Sequence, residues 1–235
     1  MALHFTTTQE AATLQGVKIG IHARAGMGKT HIIRTLHEHP LTGPTLIINA
    51  ESGVLSLRDV VIPTITLHSI PEMQEAYNFI AYSEHARQFR SIALDSCSEI
   101  AEVCLGEEKG KSKDPRKAYG EMGDEMRRLI RLYRDIPGKH VYFSFKQEYN
   151  KDEVTGIQKY GPSMPGQALT KDIPYFFDEL FCLDMGKTQD GRSFRYLRTS
   201  ADLQYEGKDR SGALDQFEEP HLGKVVEKIL SAAKR

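Results

Sequence analysis

Short apolar runs alternate along the chain with segments whose apolar residues recur at helical spacing. Strands are predicted at residues 17–21, 45–49, 64–67, 91–94 and 140–145, and two later strands at 179–183 and 194–199. Helices are predicted at residues 30–37, 71–90 and 120–134, and at the C-terminus from about Leu222 to Leu230. Apolar strands that alternate with helices indicate a mainly parallel sheet covered on both faces. The predicted fold class is therefore α/β, with a mainly parallel central sheet, flanking helices and late antiparallel strands.

Two polar stretches interrupt this pattern. Residues 106–118 are short of apolar residues and rich in lysine, and residues 146–172 are punctuated by glycine and proline. Both are predicted to be loops, and a loop as long as the second is usually functional inside a compact domain. No repeat or domain boundary is visible. Residues 1–235 are therefore predicted to form a single domain with a core from about 15 to 230.

Composition and charge exclude several classes of protein. The 235 residues are 40% apolar and 27% charged, and the net charge of −1 excludes a globally basic DNA-coating protein. Cys97, Cys104 and Cys182 form no CxxC pair and are predicted to be reduced core thiols. Neither a signal peptide nor an apolar run near the ~18 residues of a membrane span is visible, so a cytoplasmic location is predicted.

A glycine-rich turn follows the first predicted strand and opens the first predicted helix. It matches the phosphate-binding Walker A pattern except at its first position, and it consists of Ala23, Arg24, Ala25, Gly26, Met27, Gly28, Lys29 and Thr30. Glycines let successive backbone N–H groups point at phosphate oxygens, and the helix N-terminus, which includes His31, adds partial positive charge. The segment from Ala23 to His31 is therefore predicted to bind the phosphates of ATP.

Two side chains of this segment have specific predicted roles. Lys29 is predicted to reach the β- and γ-phosphates, and the Thr30 hydroxyl is predicted to coordinate Mg²⁺. Ala23 stands where the pattern has its first glycine, and it leaves less room for a positive φ at that position. The predicted cofactors are ATP and Mg²⁺.

Carboxylates at the ends of two predicted strands complete this site. Asp95 follows the apolar run 91–94, at the strand end where ligands bind in open α/β sheets, and is predicted to hold Mg²⁺ as the Walker B residue. Ser96 rather than glutamate follows it, so a catalytic base has to come from elsewhere. Glu51, just after the strand 45–49, is the candidate for orienting or deprotonating the attacking water.

A polar side chain at the end of the fifth predicted strand is placed to sense the nucleotide. Gln147 is predicted to contact the γ-phosphate and to pass the signal into the long polar stretch that follows. Lys146 is the alternative for the same role.

These residues together resemble the RecA-like recombinase ATPase core. LIINAE is similar to that family's strand ending in its catalytic glutamate, IALDS to its Walker B aspartate and serine, and HVYFSFKQ to its strand with the sensing glutamine. The resemblance covers about residues 15–230 and is closest to compact phage-encoded RecA-like ATPases described as nucleotide-binding or single-strand annealing proteins. It implies a Mg²⁺-dependent ATPase in which Lys29, Glu51 and Gln147 are catalytic.

The resemblance also implies residues that act between subunits. Lys208 and Arg210 lie in a glycine-containing segment after the last core strand, where they would reach the γ-phosphate of a neighbouring subunit. This arrangement implies a homo-oligomer, either a ring or a filament, with ATP at the subunit interface. A single-strand-binding protein is a further candidate partner, and no membrane partner is expected.

The two polar stretches lie where this family keeps its DNA-binding loops. Single-stranded DNA binding needs cations for the phosphates and aromatic rings on which bases stack. The candidate residues are Lys111 and Lys113 in the first stretch, and Lys146, Tyr149, Lys151, Lys159 and Tyr160 in the second. The predicted function is an ATPase that acts on single-stranded DNA in phage recombination or annealing.

Two other functions stay open on the sequence alone. An ATP-switched adaptor, such as a helicase loader, would use the same phosphate loop with little turnover. A small-molecule P-loop kinase would need an Arg-rich lid over its phosphoryl acceptor, whereas both polar stretches are rich in lysine.

Overall fold

Ten strands form one sheet in the part of the chain that this computed structural model describes, namely residues 7, 16–51, 53–151 and 156–233. The strands are β1 (Lys18–Ala23), β2 (Thr45–Asn49), β3 (Thr64–Thr66), β4 (Ser91–Asp95), β5 (His140–Lys151), β6 (Gln158–Ser163), β7 (Glu179–Lys187), β8 (Ser193–Arg198), β9 (Lys208–Asp209) and β10 (Phe217–Glu218). Their order is β10-β8-β7-β1-β5-β4-β2-β3, with β6 beside β5 and β9 beside β7.

The central six strands, from β7 to β3, run parallel, whereas β6, β8, β9 and β10 pair antiparallel with their neighbours. The fold class predicted from the sequence is therefore confirmed.

Helices cover both faces of this sheet. They are α1 (Arg34–His37), α2 (Ile70–Tyr82), α3 (Cys97–Lys111), α4 (Pro115–Arg134), α5 (Gln167–Phe176) and α6 (Leu222–Ala232), with 3₁₀ turns at His31–Ile33, Val54–Leu57 and Glu84–Gln88. Helices α2 to α5 pack on one face, around Phe143 and Phe177. The other face, around Ile21 and Tyr142, is covered by α1 and α6. Because both faces are buried, the central strands are apolar along most of their length.

Side-chain caps fix where the helices around the site begin. Ser69 and Ser96 each accept a hydrogen bond from the amide three residues further on, which starts α2 and α3. Asp114 caps α4 by accepting a hydrogen bond from the Arg116 amide, two residues further on. Pro115 fits the first helical position because an N–H there would have no intrahelical partner. The cap at Ser96 makes α3 begin directly after β4, so Asp95 lies at the carboxyl end of its strand.

The first polar stretch is helical, and its prediction as a loop was wrong. Residues 106–111 form the last turns of α3 and residues 115–118 the first turn of α4, so only three residues connect the two helices. Lysine and glutamate are good helix formers, and Lys111 pairs with Glu108 one turn earlier at 2.6 Å. The polar composition therefore reflects an exposed helix surface.

The second polar stretch was also predicted as a loop, and most of it is regular structure. Strand β5 continues to Lys151 and pairs with β6 in a hairpin, and α5 begins at Gln167. Residues 152–155 of this stretch lie outside the described residues. The Tyr149 and Tyr160 rings pack across the hairpin with centroids 4.7 Å apart, which supplies the side-chain contact that this pairing needs.

Three predicted helices have different ends in the structure. The helix predicted from residue 30 begins as a 3₁₀ turn and contains a single α-helical turn. The helix predicted over 71–90 ends at Tyr82, where Ser83 is extended and accepts a hydrogen bond that starts a 3₁₀ turn. Helix α4 begins five residues before the predicted residue 120 because Asp114 and Pro115 form its N-terminus.

Candidate nucleotide-binding site

The glycine-rich turn has the backbone of a phosphate loop. Gly26 and Gly28 have φ values of 75° and 103°, a region that other residues rarely adopt. A Cβ at Gly26 would meet no atom within 4 Å, so the backbone conformation and not crowding requires glycine there. Ala23 is the last residue of β1 and pairs with Lys146 of β5, so it is extended. The alanine at the first position of the pattern therefore imposes no strain.

Several backbone donors of the loop have no acceptor among the described residues. The Met27 amide donates to the carbonyl of Arg24 at 3.4 Å, and the Met27 side chain is buried in the core. No residue in the described ranges accepts a hydrogen bond from the amides of Gly28, Lys29 or Thr30. Successive free N–H groups in such a turn form an anion-binding concavity. The loop therefore fits a phosphate.

The Lys29 side chain folds back to the start of the loop, and its charge has no ion-pair partner in the described part of the chain. Its Nζ donates to the Ala23 carbonyl at 3.2 Å, and no carboxylate of the described residues comes within ion-pair distance of it. Burial lowers the pKa of Lys29, and the negative charges of Glu51 and Asp95 oppose this shift. Tyr142 is fully buried, and its hydroxyl group donates a hydrogen bond to the Lys29 carbonyl at 2.8 Å. Tyr142 thus anchors the Lys29 backbone, while the Lys29 ammonium group donates to the Ala23 carbonyl at the start of the loop.

Asp95 and two hydroxyl groups form an oxygen-rich cluster beside the loop. Thr30 Oγ1 donates to Asp95 Oδ2 at 2.6 Å, and Ser144 Oγ donates to Asp95 Oδ1 at 2.5 Å. Burial raises the pKa of Asp95, whereas these two hydrogen bonds oppose that shift. Carboxylate and hydroxyl oxygens are the ligands that Mg²⁺ prefers. The oxygen atoms of Thr30 and Asp95 therefore fit the predicted magnesium site, and their binding of Mg²⁺ stays a prediction.

Glu51 is brought to the same cluster. It follows β2, which pairs with β4 so that Asn49 lies opposite Asp95. The Asn49 side chain accepts a hydrogen bond from the Glu51 amide at 3.1 Å, and the Ser96 hydroxyl donates to Glu51 Oε1. The serine that replaces the usual glutamate after Asp95 therefore holds the carboxylate of Glu51 at the site.

Gln147 and Lys146 lie at the same edge of the sheet, but neither is directed at the loop by a hydrogen bond. Lys146 Nζ donates to Glu99 Oε2 at 2.9 Å. Gln147 Oε1 lies 3.9 Å from the thiol of Cys182 on β7. Contact of Gln147 with a γ-phosphate therefore stays a prediction.

Lys208 and Arg210 lie at the opposite edge of the sheet. Strand β9 pairs with the first residues of β7, at the end of the parallel strands away from the phosphate loop. Lys208 Nζ donates to the carbonyls of Pro174 and Phe177, and Arg210 pairs with Asp178 at 2.7 Å. These two cations do not reach the phosphate loop of their own chain, and their action on a neighbouring subunit stays a prediction.

The candidate DNA residues form two separate groups. Tyr149, Lys151, Lys159 and Tyr160 are on the β5–β6 hairpin, which continues from the strand beside the phosphate loop. Lys111 ends α3, about 21 Å along the helix axis from Cys97, and Lys113 is in the connection to α4. Within the described residues, the hydrogen bond and ion pair of Lys111 go to Glu108 on its own helix and not to the hairpin.

His22 is a buried residue that the sequence analysis missed. It is 0% exposed on β1, and its Nε2 lies 3.0 Å from the Glu206 carbonyl. Burial lowers the pKa of His22 to about 4, so the ring is neutral at pH 7. The Glu206 amide in turn donates to the Tyr160 carbonyl at 2.8 Å. The strand that leads into the phosphate loop is thus tied to the hairpin. The signal in the sequence was a histidine inside an otherwise apolar strand.

The fold and the site together define a P-loop nucleotide-binding domain. The chain belongs to the AAA domain family, whose sequence model matches residues 15–211. No curated protein matches the chain in sequence. Among solved structures, one similar chain is a KaiC-like protein from the hyperthermophilic archaeon Pyrococcus horikoshii OT3, with 13% identity, coverage of 78% of this chain and 77% of that chain, and a TM-score of 0.47. None of the described helices combines the length and the apolar composition that crossing a bilayer requires.

Proposed function

We propose that this protein hydrolyses ATP in a Mg²⁺-dependent reaction at the loop from Ala23 to Thr30. The observation that carries the proposal is the position of Glu51, whose carboxylate accepts the Ser96 hydroxyl directly beside the Asp95 cluster. A P-loop alone accounts for nucleotide binding only. A carboxylate held next to the metal ligands adds the group that orients or deprotonates water.

Each residue of the site has a task in this reaction. The free amides and the Lys29 ammonium bind the β- and γ-phosphates and stabilise negative charge that develops there. Thr30 and Asp95 hold Mg²⁺, which neutralises phosphate charge when bound. Glu51 accepts the proton of the attacking water, and the Ser96 hydroxyl fixes the carboxylate that receives it.

The test compares Glu51→Gln with the wild-type protein and with Glu75→Gln, which removes an exposed carboxylate on α2. Removing a general base typically costs about 100-fold or more in turnover. We expect that loss in Glu51→Gln with ATP affinity within about threefold of wild type, and no change in Glu75→Gln. Unchanged turnover in Glu51→Gln would overturn the assignment. A wild-type protein that binds ATP without turnover would be an adaptor.

We further propose that the ATPase acts on single-stranded DNA through the β5–β6 hairpin. Tyr149 is 55% exposed and lies against Tyr160, so the pair offers a ring face to a nucleotide base. Lys151 and Lys159 are on the same hairpin and supply charge for phosphates. The use of this binding in phage recombination or annealing is part of the same proposal, and it rests on the resemblance to the RecA-like core.

Retention of labelled single-stranded DNA at low salt, with ATP and Mg²⁺ present, tests this proposal. Loss of one stacking ring weakens binding about 5- to 100-fold, so Tyr149→Ala should show that loss and a reduced DNA stimulation of ATPase activity. Tyr175→Ala is the matched control because Tyr175 is 81% exposed on α5, outside the hairpin. Absence of DNA retention by the wild-type protein at low salt would end the proposal.

The proposed active form is a homo-oligomer in which Lys208 and Arg210 complete a neighbour's site. Both cations are engaged within their own chain at the edge opposite the phosphate loop, so only another subunit's nucleotide is available to them. Mixing Arg210→Ala with Glu51→Gln tests this arrangement. Two inactive proteins should regain ATPase activity on mixing, because some interfaces then combine an intact Glu51 with an intact Arg210. No recovery, or full activity of Arg210→Ala alone, would exclude the role.

A further inference from the structure

An arginine from the antiparallel part of the sheet lies beside the phosphate loop. A Cβ at Gly28 would lie 3.8 Å from Nε and 4.0 Å from Cδ of Arg195. Arg195 is on β8, opposite Met185 of β7, and β7 pairs with β1. Strand β7 therefore lies between β8 and β1, and the Arg195 side chain comes close to the loop that follows β1. Arg195 is about 170 residues further along the chain than this loop.

The face of β8 explains this position. Residues two apart on a strand point to the same side, so Arg195 shares its face with Leu197. Leu197 is 0% exposed and packs in the same apolar cluster as Met27 of the phosphate loop. The strand face that carries Arg195 is thus the one that covers the loop, and the buried Leu197 fixes its register.

The charge of Arg195 is unpaired in the described chain. The two other arginines of the β7–β8 hairpin have carboxylate partners. Arg192 pairs with Asp190 at 2.8 Å, and Arg198 pairs with Asp202 at 2.6 Å. No carboxylate or carbonyl oxygen of the described residues lies within hydrogen-bond or ion-pair distance of the Arg195 guanidinium. An arginine beside Gly28, the residue before Lys29, adds a second positive charge to a loop that already fits an anion.

We propose that Arg195 is a nucleotide ligand supplied by the same chain, whose guanidinium binds oxygens of the nucleotide's phosphate tail. The inference rests on the proposed function, since it concerns the same loop. A planar guanidinium donates two parallel hydrogen bonds to phosphate oxygens, a geometry that lysine does not reproduce. The late antiparallel strands are then part of the nucleotide site, and the site does not depend only on residues from the parallel strands.

The experiment measures binding of ATP and ADP in Mg²⁺ by titration calorimetry for Arg195→Gln, Arg195→Lys and Arg192→Gln. Arg192 is on the same hairpin but is paired with Asp190, so its substitution is the matched control. Loss of a charged hydrogen-bond donor weakens binding about 10- to 100-fold. We expect that loss in Arg195→Gln, an intermediate loss in Arg195→Lys, and wild-type affinity in Arg192→Gln, with equal thermal unfolding midpoints for all three.

Equal ATP affinity of Arg195→Gln and Arg192→Gln would overturn the inference while the proposed ATPase stands. Unchanged ATP affinity of Arg195→Gln with reduced retention of single-stranded DNA would also overturn it. Arg195 would then bind a phosphate of the nucleic acid. A wild-type protein that binds no ATP would instead overturn the proposed function. That result comes from the wild-type titration and not from the comparison of the Arg195 variants, so the two failures can be distinguished.

Discussion

Glu179→Gln should stabilise the protein at alkaline pH. Glu179 is the first residue of β7, is 1% exposed, and accepts one hydrogen bond from the Ser211 amide at 3.2 Å. Its second carboxylate oxygen has no partner among the described residues. Burial, followed by the nearby charge of Asp209, raises the pKa of Glu179 from 4.5 to about 8. Glutamine keeps an acceptor for Ser211 and carries no charge that burial penalises.

The direction of the effect follows from proton binding. Between pH 4.5 and about 8 the folded protein holds a proton on Glu179 that the unfolded chain has released. The contribution of Glu179 to stability is therefore full below pH 4.5 and is lost as the pH rises through 8. Each pKa unit between 4.5 and about 8 corresponds to about 1.4 kcal/mol, so the complete loss is at most about 5 kcal/mol. Between pH 5 and 8.5 it amounts to about 4 kcal/mol.

Urea unfolding at pH 5 and pH 8.5 measures this difference. The free energy of unfolding of Glu179→Gln relative to wild type should rise by up to about 4 kcal/mol between the two pH values. Glu75→Gln, which alters an exposed carboxylate, should follow the wild-type curve. Curves for Glu179→Gln and wild type that stay parallel within about 1 kcal/mol would refute the reasoning.

Three further outcomes follow from the packing. Ser144→Ala removes a hydrogen bond that keeps Asp95 charged, so the Mg²⁺ concentration for half-maximal ATPase activity should rise about tenfold; an unchanged value contradicts this role. Gly223→Ala should cost about 2 kcal/mol or more in urea unfolding, because a Cβ there would lie 2.3 Å from His39 Cβ. Gly106→Ala should instead stabilise by about 0.5–1 kcal/mol, since its Cβ meets nothing within 4 Å on α3; a loss of stability would contradict this.

The central sheet could be predicted from the sequence because its strands are short apolar runs. A strand buried on both faces has no polar alternation, and each predicted core strand is present in the structure. The cluster of Asp95 and Thr30 could also be anticipated, since the carboxyl ends of parallel strands meet at one edge. The local sequence shows where each strand ends, and the parallel topology then brings those ends together.

The structure of the two polar stretches and the position of Arg195 could not be predicted from the sequence. Polar composition does not separate an exposed helix such as residues 106–111 from a loop, because both face water. Arg195 reaches Gly28 only through the antiparallel register of β8 on β7, which is set by long-range pairing. No local pattern around Arg195 indicates that register.

Strand β5 joins the two ends of the proposed mechanism. It is 12 residues long, with Ser144 bonded to Asp95 near its middle and Tyr149 on the exposed hairpin beyond. No break in the strand separates these positions, so one continuous strand connects the Asp95 cluster and the hairpin. Hydrogen bonds from His22 to Glu206 and from Glu206 to Tyr160 also join the hairpin to β1. A displacement of Asp95 would therefore reach the tyrosines through Ser144 and a single strand, with no second element between them.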